Sequence, residues 1–318
     1  MRLGIYGGTF NPPHIGHVRA ASAAIGQLEL DVLLVIPAGM PPHKEMPRGS
    51  PNTDDRMELT RLSFAGLGNT TVTDLELKKE GVSYTAETVE EIRAGYPGFD
   101  IFLIMGSDMF LTLETWRSIR SLLRHVTPAV LSRNDGNGRE IRNYAERIYG
   151  MFRKETIFIE NDVTEISSTA LRELLPKRGG AEFIAAAAYA YIIKKRLYGS
   201  KAEWDWLREQ VFSSMKPKRI PHTLGCEAEA VRLADRWGAD QDEAREAAIL
   251  HDITKHLDLE DQLQLCRKYD IMTDNVETAE VKLLHAKTGA AVARDIYGAS
   301  QVVHDAIFWH TTGRADMA

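Results

Sequence analysis

Short apolar runs recur through the first part of the chain at RLGIYGG, DVLLVIPAG, TVTDLEL, DIFLIMG, TPAVLSR and TIFIEND. Stretches with helical periodicity, such as TDDRMELTRLSFAGL and YTAETVEEIRAGY, separate them. This alternation predicts an α/β fold, a doubly wound parallel sheet with helices on both faces, because parallel strands need a crossover between them. Residues 2–26 run strand, Gly-rich turn, helix, so ligands are expected beyond the carboxyl ends of the strands. The pattern changes after FIAAAAYAYIIKKRLYG. From Trp204 onward WDWLREQVFSSM, CEAEAVRLADRWG, DEAREAAILHDITKHL, LEDQLQLCRKYD, AEVKLLHAKTGAAVARDIYG and SQVVHDAIFWHTTG each carry a helical apolar stripe, and no convincing strand remains. Two domains follow, residues 1–199 and an all-helical 200–318, while PAGMPPHKEMPRGSPN reads as a long functional loop.

Composition narrows the function classes. A net charge of -6 over 318 residues argues against coating nucleic acid, so phosphate binding has to be local. Two cysteines, Cys226 and Cys266, with no CxxC spacing indicate neither a disulfide framework nor a thiolate zinc site. The N-terminus enters a strand at once and lacks a signal-peptide pattern, and AAAAYAYII at 185–193 is about half the length that spans a bilayer. A cytoplasmic protein with no membrane role is expected.

The first chemical motif is GGTFNPPHIGH at residues 7–17, between the first strand and the helix starting near His14. Gly7 and Gly8 remove side chains where backbone approaches phosphate, and a helix N-terminus offers oriented N–H donors. His14 and His17, three residues apart, share one face of the first turn. A phosphate held there would favour their imidazolium forms and stabilise charge on a transferring nucleotidyl group. A second motif, ISSTALR at 166–172, places the hydroxyls of Ser167, Ser168 and Thr169 at a helix start and adds the planar fork of Arg172.

The first string resembles the GxFxPxHxGH element of the adenylyltransferase and cytidylyltransferase superfamily, and the second its ISSTxxR element, with Asn11 standing where Asp is frequent. PAGMPPHK (37–44), the Arg56 helix, SYTAETVEEI (83–92), IMGSDMF (104–110) and Trp116 resemble, in order, motifs of its nicotinate-nucleotide adenylyltransferase branch. The resemblance implies a Rossmann-like fold and transfer of AMP from ATP to nicotinate mononucleotide, with Mg2+ accompanying ATP. It implies ATP contacts at Gly7, Gly8, Thr9, Phe10, Gly106, Asp108, Ser167, Ser168 and Thr169, mononucleotide contacts at Thr85 and Trp116, and charge-offsetting roles for His14, His17, Lys44 and Arg172. Nicotinamide mononucleotide is the competing acceptor.

The second half holds His222 in KRIPHTLG, adjacent His251 and Asp252 in AAILHDITKH, His285 in LLHAKTG and His310 in FWHTTG. Imidazoles with a carboxylate suit a first-row transition metal, and an adjacent His–Asp pair on one helical turn delivers both ligand types. The order resembles the HD-domain phosphohydrolases, specifically the branch that cleaves diadenosine tetraphosphate symmetrically. That implies iron or another divalent transition metal on His222, His251 and Asp252, and substrate contacts from Arg219, His285, His310 and Thr311, with His285 and His310 alternatively serving a second metal. The family pattern also calls for an Asp beyond HTTG, which Asp316 comes too early to supply. A fragment is therefore expected; the alternative is a module without catalysis that senses nucleotide and regulates the first domain.

Overall fold

The computed structural model describes residues 1–39, 46–79, 81–132, 138–161 and 166–315. Lys44 and Asp316 lie outside them. Six strands form one sheet: β1 (Arg2–Gly8), β2 (Val32–Pro37), β3 (Thr70–Val72), β4 (Asp100–Gly106), β5 (Val126–Ser132) and β6 (Ile157–Glu160). Their order is β3-β2-β1-β4-β5-β6 and every pairing is parallel. Strand order therefore reverses between β1 and β4, the point at which doubly wound sheets open a crevice at their carboxyl ends.

Helices α1 (Ile15–Leu28), α2 (Thr53–Phe64), α3 (Thr85–Gly95), α4 (Ser107–Phe110), α5 (Ile119–His125), α6 (Gly138–Phe152) and α7 (Ser168–Leu174) fill the connections between and after the strands. Alternation along the strands sends side chains to two cores. On one face Leu3, Ile5, Leu34, Ile36, Leu103 and Met105 pack with residues of α3, α5 and α6. On the other, Tyr6, Leu33, Val35 and Ile104 pack with α1 and with Phe64 of α2. Burial on both faces explains why these strands read as nearly continuous apolar runs.

One strand is shorter than its sequence suggests. TVTDLEL alternates like a strand through residue 77, yet β3 ends at Val72 and turns follow, closed by Lys78 N–H on the Asp74 carbonyl (3.1 Å). The part-buried hydrogen bond from the Thr88 hydroxyl to Glu76 (3.0 Å) draws this stretch toward α3 instead of along the sheet edge.

The chain divides into two compact units inside helix α8 (Ala186–Lys195), between Tyr189 and Ala190, with residues 177–179 joining the second. That division falls ten residues before the expected end of the first domain at Gly199. The second unit is helical throughout its described residues: α9 (Trp204–Ser214), α10 (Ile220–Trp237), α11 (Gln241–Leu250), α12 (Leu259–Lys268), α13 (Asn275–Ala279), α14 (Val281–Tyr297) and α15 (Gln301–Trp309). Local chemistry sets the ends. The Asp240 carboxylate caps α11 through Asp242 N–H (2.8 Å) and Glu243 N–H (3.0 Å), and Asp258 and Ser300 cap α12 and α15 in the same way. Gly238 and Gly298 end α10 and α14 at φ 70° and 62°, in the left-handed region. Among the described residues no helix is long and apolar enough to cross a membrane.

Candidate functional site

In the first unit, β1 releases the chain at Gly8 into a loop that Phe10 anchors. Its ring is buried and packs edge-on against Tyr6 (5.6 Å), Phe64 (5.5 Å) and His17 (5.2 Å). A Cβ on Gly8 would lie 2.9 Å from that ring, whereas one on Gly7 would meet nothing within 4 Å. Gly8 is thus needed by the packing, and Gly7 leaves its backbone open. With its side chain committed to the core, Phe10 has only backbone to offer a nucleotide.

His14 is the extended residue that starts α1. Its backbone N–H donates to Nδ1 of His17 (3.2 Å), and the two rings lie with centroids 3.8 Å apart. An accepting Nδ1 carries no proton, so the neutral His17 ring keeps its N–H at Nε2. The pair is thereby oriented before any ligand arrives.

ISSTALR comes back to this loop from the far end of the domain. Ser167 caps α7 by accepting from Ala170 N–H (3.1 Å). The Ser168 hydroxyl donates to the Pro12 carbonyl (2.8 Å), and Arg172 donates to the Asn11 carbonyl (2.6 Å) and the Thr169 hydroxyl (2.9 Å). Two motifs separated by about 150 residues of sequence thus meet.

Arg56, noticed in the sequence only as part of a helix, is 3% exposed and donates to the carbonyls of Thr9 (3.3 Å) and Ala38 (2.8 Å). It ties the loops after β1 and β2 together, and Asn11 adds a hydrogen bond to the Ser50 hydroxyl (2.7 Å). A buried arginine held by backbone carbonyls has no sequence periodicity to betray it. Beyond β4, Gly106 precedes α4 and Asp108 is exposed in its first turn. Thr85 opens α3, and Trp116 is half-buried against the core of that face.

In the second unit everything converges on Asp252. Its carboxylate is 1% exposed, with Oδ2 facing Nε2 of His251 (3.3 Å) and His222 (3.6 Å), and Oδ1 facing Nε2 of His285 (3.2 Å) and His310 (4.0 Å). His285 and His310 are also 3.1 Å apart through their Nε2 atoms. Lys255 (3.1 Å from Oδ1) and Arg219 supply positive charge, so Arg219, expected on substrate, is ion-paired with the carboxylate. Thr311 lies exposed in the turn after α15.

The helix expected across AAILHDITKHL ends at Leu250, and His251 and Asp252 stand in the turns that follow. A buried network invisible to periodicity holds these turns. The Thr254 hydroxyl bonds to the His285 carbonyl (3.1 Å) and the Thr288 hydroxyl (2.9 Å), and Gln262 donates to the Thr254 carbonyl (2.6 Å). Of the groups so engaged, the Thr254 carbonyl is the one that a continuing helix would use.

The donor set fits a metal ion. His251, His285 and His310 each donate from Nδ1 to a carbonyl three residues earlier, Ala248 (2.7 Å), Lys282 and Ile307 (2.6 Å). This fixes the tautomer and leaves each Nε2 lone pair directed at the Asp252 region, the outer-shell arrangement that metal-ligating imidazoles use. Burial lowers the pKa of all four histidines, His251 and His285 to about 4, so the neutral, ligand-competent form prevails at pH 7.

With both geometries in place, comparison with known proteins is decisive for the first unit. The model of the cytidylyltransferase-like family matches residues 5–174. The chain belongs to that family. A probable nicotinate-nucleotide adenylyltransferase of Pseudomonas syringae pv. tomato is 36% identical over 209 residues, covering 62% of this chain and 93% of that protein. Another from Clostridium tetani is 31% identical over 191 residues, covering 60% and 95%. The solved Plasmodium falciparum nicotinic acid mononucleotide adenylyltransferase complexed with NaAD is similar in fold, with TM-score 0.50 at 18% identity over 63% of this chain and 98% of that one. The HD domain model matches residues 219–316. This cytidylyltransferase-like protein is therefore a nucleotidyltransferase that carries a C-terminal HD domain.

His17, oriented by the backbone of its neighbour, is expected to offset charge that develops during nucleotidyl transfer. Replacing it, His17→Ala, is expected to lower the turnover of nucleotidyl transfer on the order of a hundredfold to a thousandfold, the range for losing one preorganised contact to developing charge. Pyrophosphate release measured at saturating substrate checks this, and near-normal turnover would refute it.

Proposed function

We propose that the first unit transfers AMP from ATP to nicotinate mononucleotide, giving nicotinate adenine dinucleotide and pyrophosphate. The observation that carries the proposal is the meeting of the His14–His17 turn with Ser168 and Arg172 at the Asn11–Pro12 backbone, on the carboxyl side of the sheet where β1 ends. The relatives named above support the choice of acceptor.

A mononucleotide phosphate, with a second pKa near ~6, is largely dianionic at pH 7 and needs no general base. One of its oxygens forms the new bond to the α-phosphorus of ATP as the bond to pyrophosphate breaks in line. The protein's task is alignment and charge neutralisation. His14, His17 and Arg172 offset the charge that develops, and Lys44, outside the described residues, joins them. Gly7, Gly8, Thr9 and the backbone of Phe10 take the phosphates with Ser167, Ser168 and Thr169. Gly106 and Asp108 are assigned to the adenosine by the family resemblance, and Thr85 and Trp116 to the pyridine mononucleotide. Mg2+ accompanying ATP would supply further charge neutralisation at the leaving pyrophosphate.

The second unit is proposed to hydrolyse a dinucleoside polyphosphate such as diadenosine tetraphosphate. A pocket lined by Lys216, Lys218, Arg219, Asp252, Lys255 and His256 puts cations around the buried carboxylate, which suits a polyphosphate chain. Iron or another divalent transition metal, held by His222, His251 and Asp252, would supply a Lewis acid and a bound water at lowered pKa.

Pyrophosphate release with ATP and nicotinate mononucleotide, nicotinamide mononucleotide or phosphopantetheine tests the first assignment. Nicotinate mononucleotide is expected to be used best, and comparable rates with all three would defeat it. For the second, metal-loaded protein should release ADP from diadenosine tetraphosphate, and intact substrate after prolonged incubation would rule that out.

A further inference from the structure

Cys226 stands four residues after His222, on the same face of α10. Its Sγ lies 3.5 Å from Nε2 of His222, and the ligand atoms of His222, Cys226 and His251 all fall within 4.8 Å of one another. We propose that Cys226 is itself a metal ligand, its thiolate joining Nε2 of His222, Nε2 of His251 and Oδ2 of Asp252 around a single divalent ion. This rests on reading the HD unit as a metal centre, and adds to it a sulfur donor.

Three observations converge on the assignment. The first is spacing. A metal bound to sulfur at about 2.3 Å and to nitrogen at about 2.0–2.1 Å sets two tetrahedral ligand atoms about 3.5 Å apart. The Sγ–Nε2 separation of 3.5 Å matches this. The His222–Asp252 and His251–Asp252 separations of 3.6 and 3.3 Å lie near the corresponding nitrogen–oxygen value.

The second is access. Pro221, His222, Gly225, Cys226 and Glu229 line an open groove, so an ion reaches the sulfur from solvent. Cys266, by contrast, is buried on α12 and belongs to none of the metal-competent groups among the described residues. The third is division of labour on Asp252. Its Oδ1 faces His285 and His310, which form a separate metal-competent group with it, while Oδ2 faces the His222–His251 side. The sulfur thus adds a donor on the His222–His251 side without borrowing from the other imidazole pair.

On metal binding the thiol proton passes to solvent and the Sγ lone pair forms the bond. A thiolate makes the site softer than imidazole and carboxylate alone, favouring zinc and other borderline-soft ions over those that prefer oxygen.

Titration of the metal-free, full-length protein with Co(II) tests this spectroscopically. The wild-type protein should develop an intense near-ultraviolet thiolate-to-cobalt charge-transfer band that saturates with bound Co(II). Cys266→Ala should keep the band. Cys226→Ala, checked for unchanged helical circular dichroism, should lose it and bind Co(II) at least about tenfold more weakly, the lower end of what even an outer-shell partner is worth. Co(II) bound by the wild type without the band, or no Co(II) bound at all, would overturn the assignment. The band together with failure to hydrolyse diadenosine tetraphosphate would leave the ligand in place and remove the hydrolase reading; hydrolysis without the band would do the reverse.

Discussion

The first unit depends on one hydrogen-bonded closure, the Arg172 guanidinium on the Asn11 carbonyl at 2.6 Å, reinforced by the Ser168 hydroxyl on Pro12 at 2.8 Å. A carbonyl held by a charged donor in a part-buried loop is worth more than a neutral pair would be. The contact brings a planar cation and a row of hydroxyls from beyond β6 to the turn that follows β1. Arg56 performs the complementary task from the other side, binding the carbonyls of Thr9 and Ala38 so that the loops after two adjacent strands keep one shape. His14 and His17 are then fixed by the start of α1 itself. A site built in this way has its donors aimed before substrate binds, which is the condition for electrostatic preorganisation.

The second unit solves a similar problem with a buried acid. A carboxylate 1% exposed is costly unless paired, and Asp252 is offset by Arg219 and Lys255. Keeping three of those imidazoles in one tautomer through carbonyls of their own helical turns leaves lone pairs directed inward. The Thr254–Thr288–Gln262 network holds the turn that presents Asp252. Metal affinity in such a centre is set as much by these supports as by the ligands.

Much of this was legible from residues alone, for identifiable reasons. The central strands, buried on both faces, leave nearly unbroken apolar runs, and the switch to all-helical periodicity marked the second unit. The paired histidines at 14 and 17 and the SST–Arg172 string sit at helix starts, where polar groups are common, and it was their resemblance to superfamily motifs that singled them out. What escaped notice depended on partners distant in sequence. Nothing near Arg56 announces that it reaches two loop carbonyls, and nothing in AAILHDITKH announces that the helix ends at Leu250 or that Thr254 bonds to α14. The TVTDLEL alternation misled for the same reason, since Glu76 answers to Thr88 and not to a neighbouring strand.

The proposed convergence of the two motifs on the phosphates of ATP is most directly tested by a crystal structure of this chain with a non-hydrolysable ATP analogue. The expected result places the triphosphate between the start of α1 at His14 and His17 and the Ser167–Arg172 segment, with the Asn11–Arg172 contact retained. A nucleotide bound with its phosphates away from either segment would contradict the central claim.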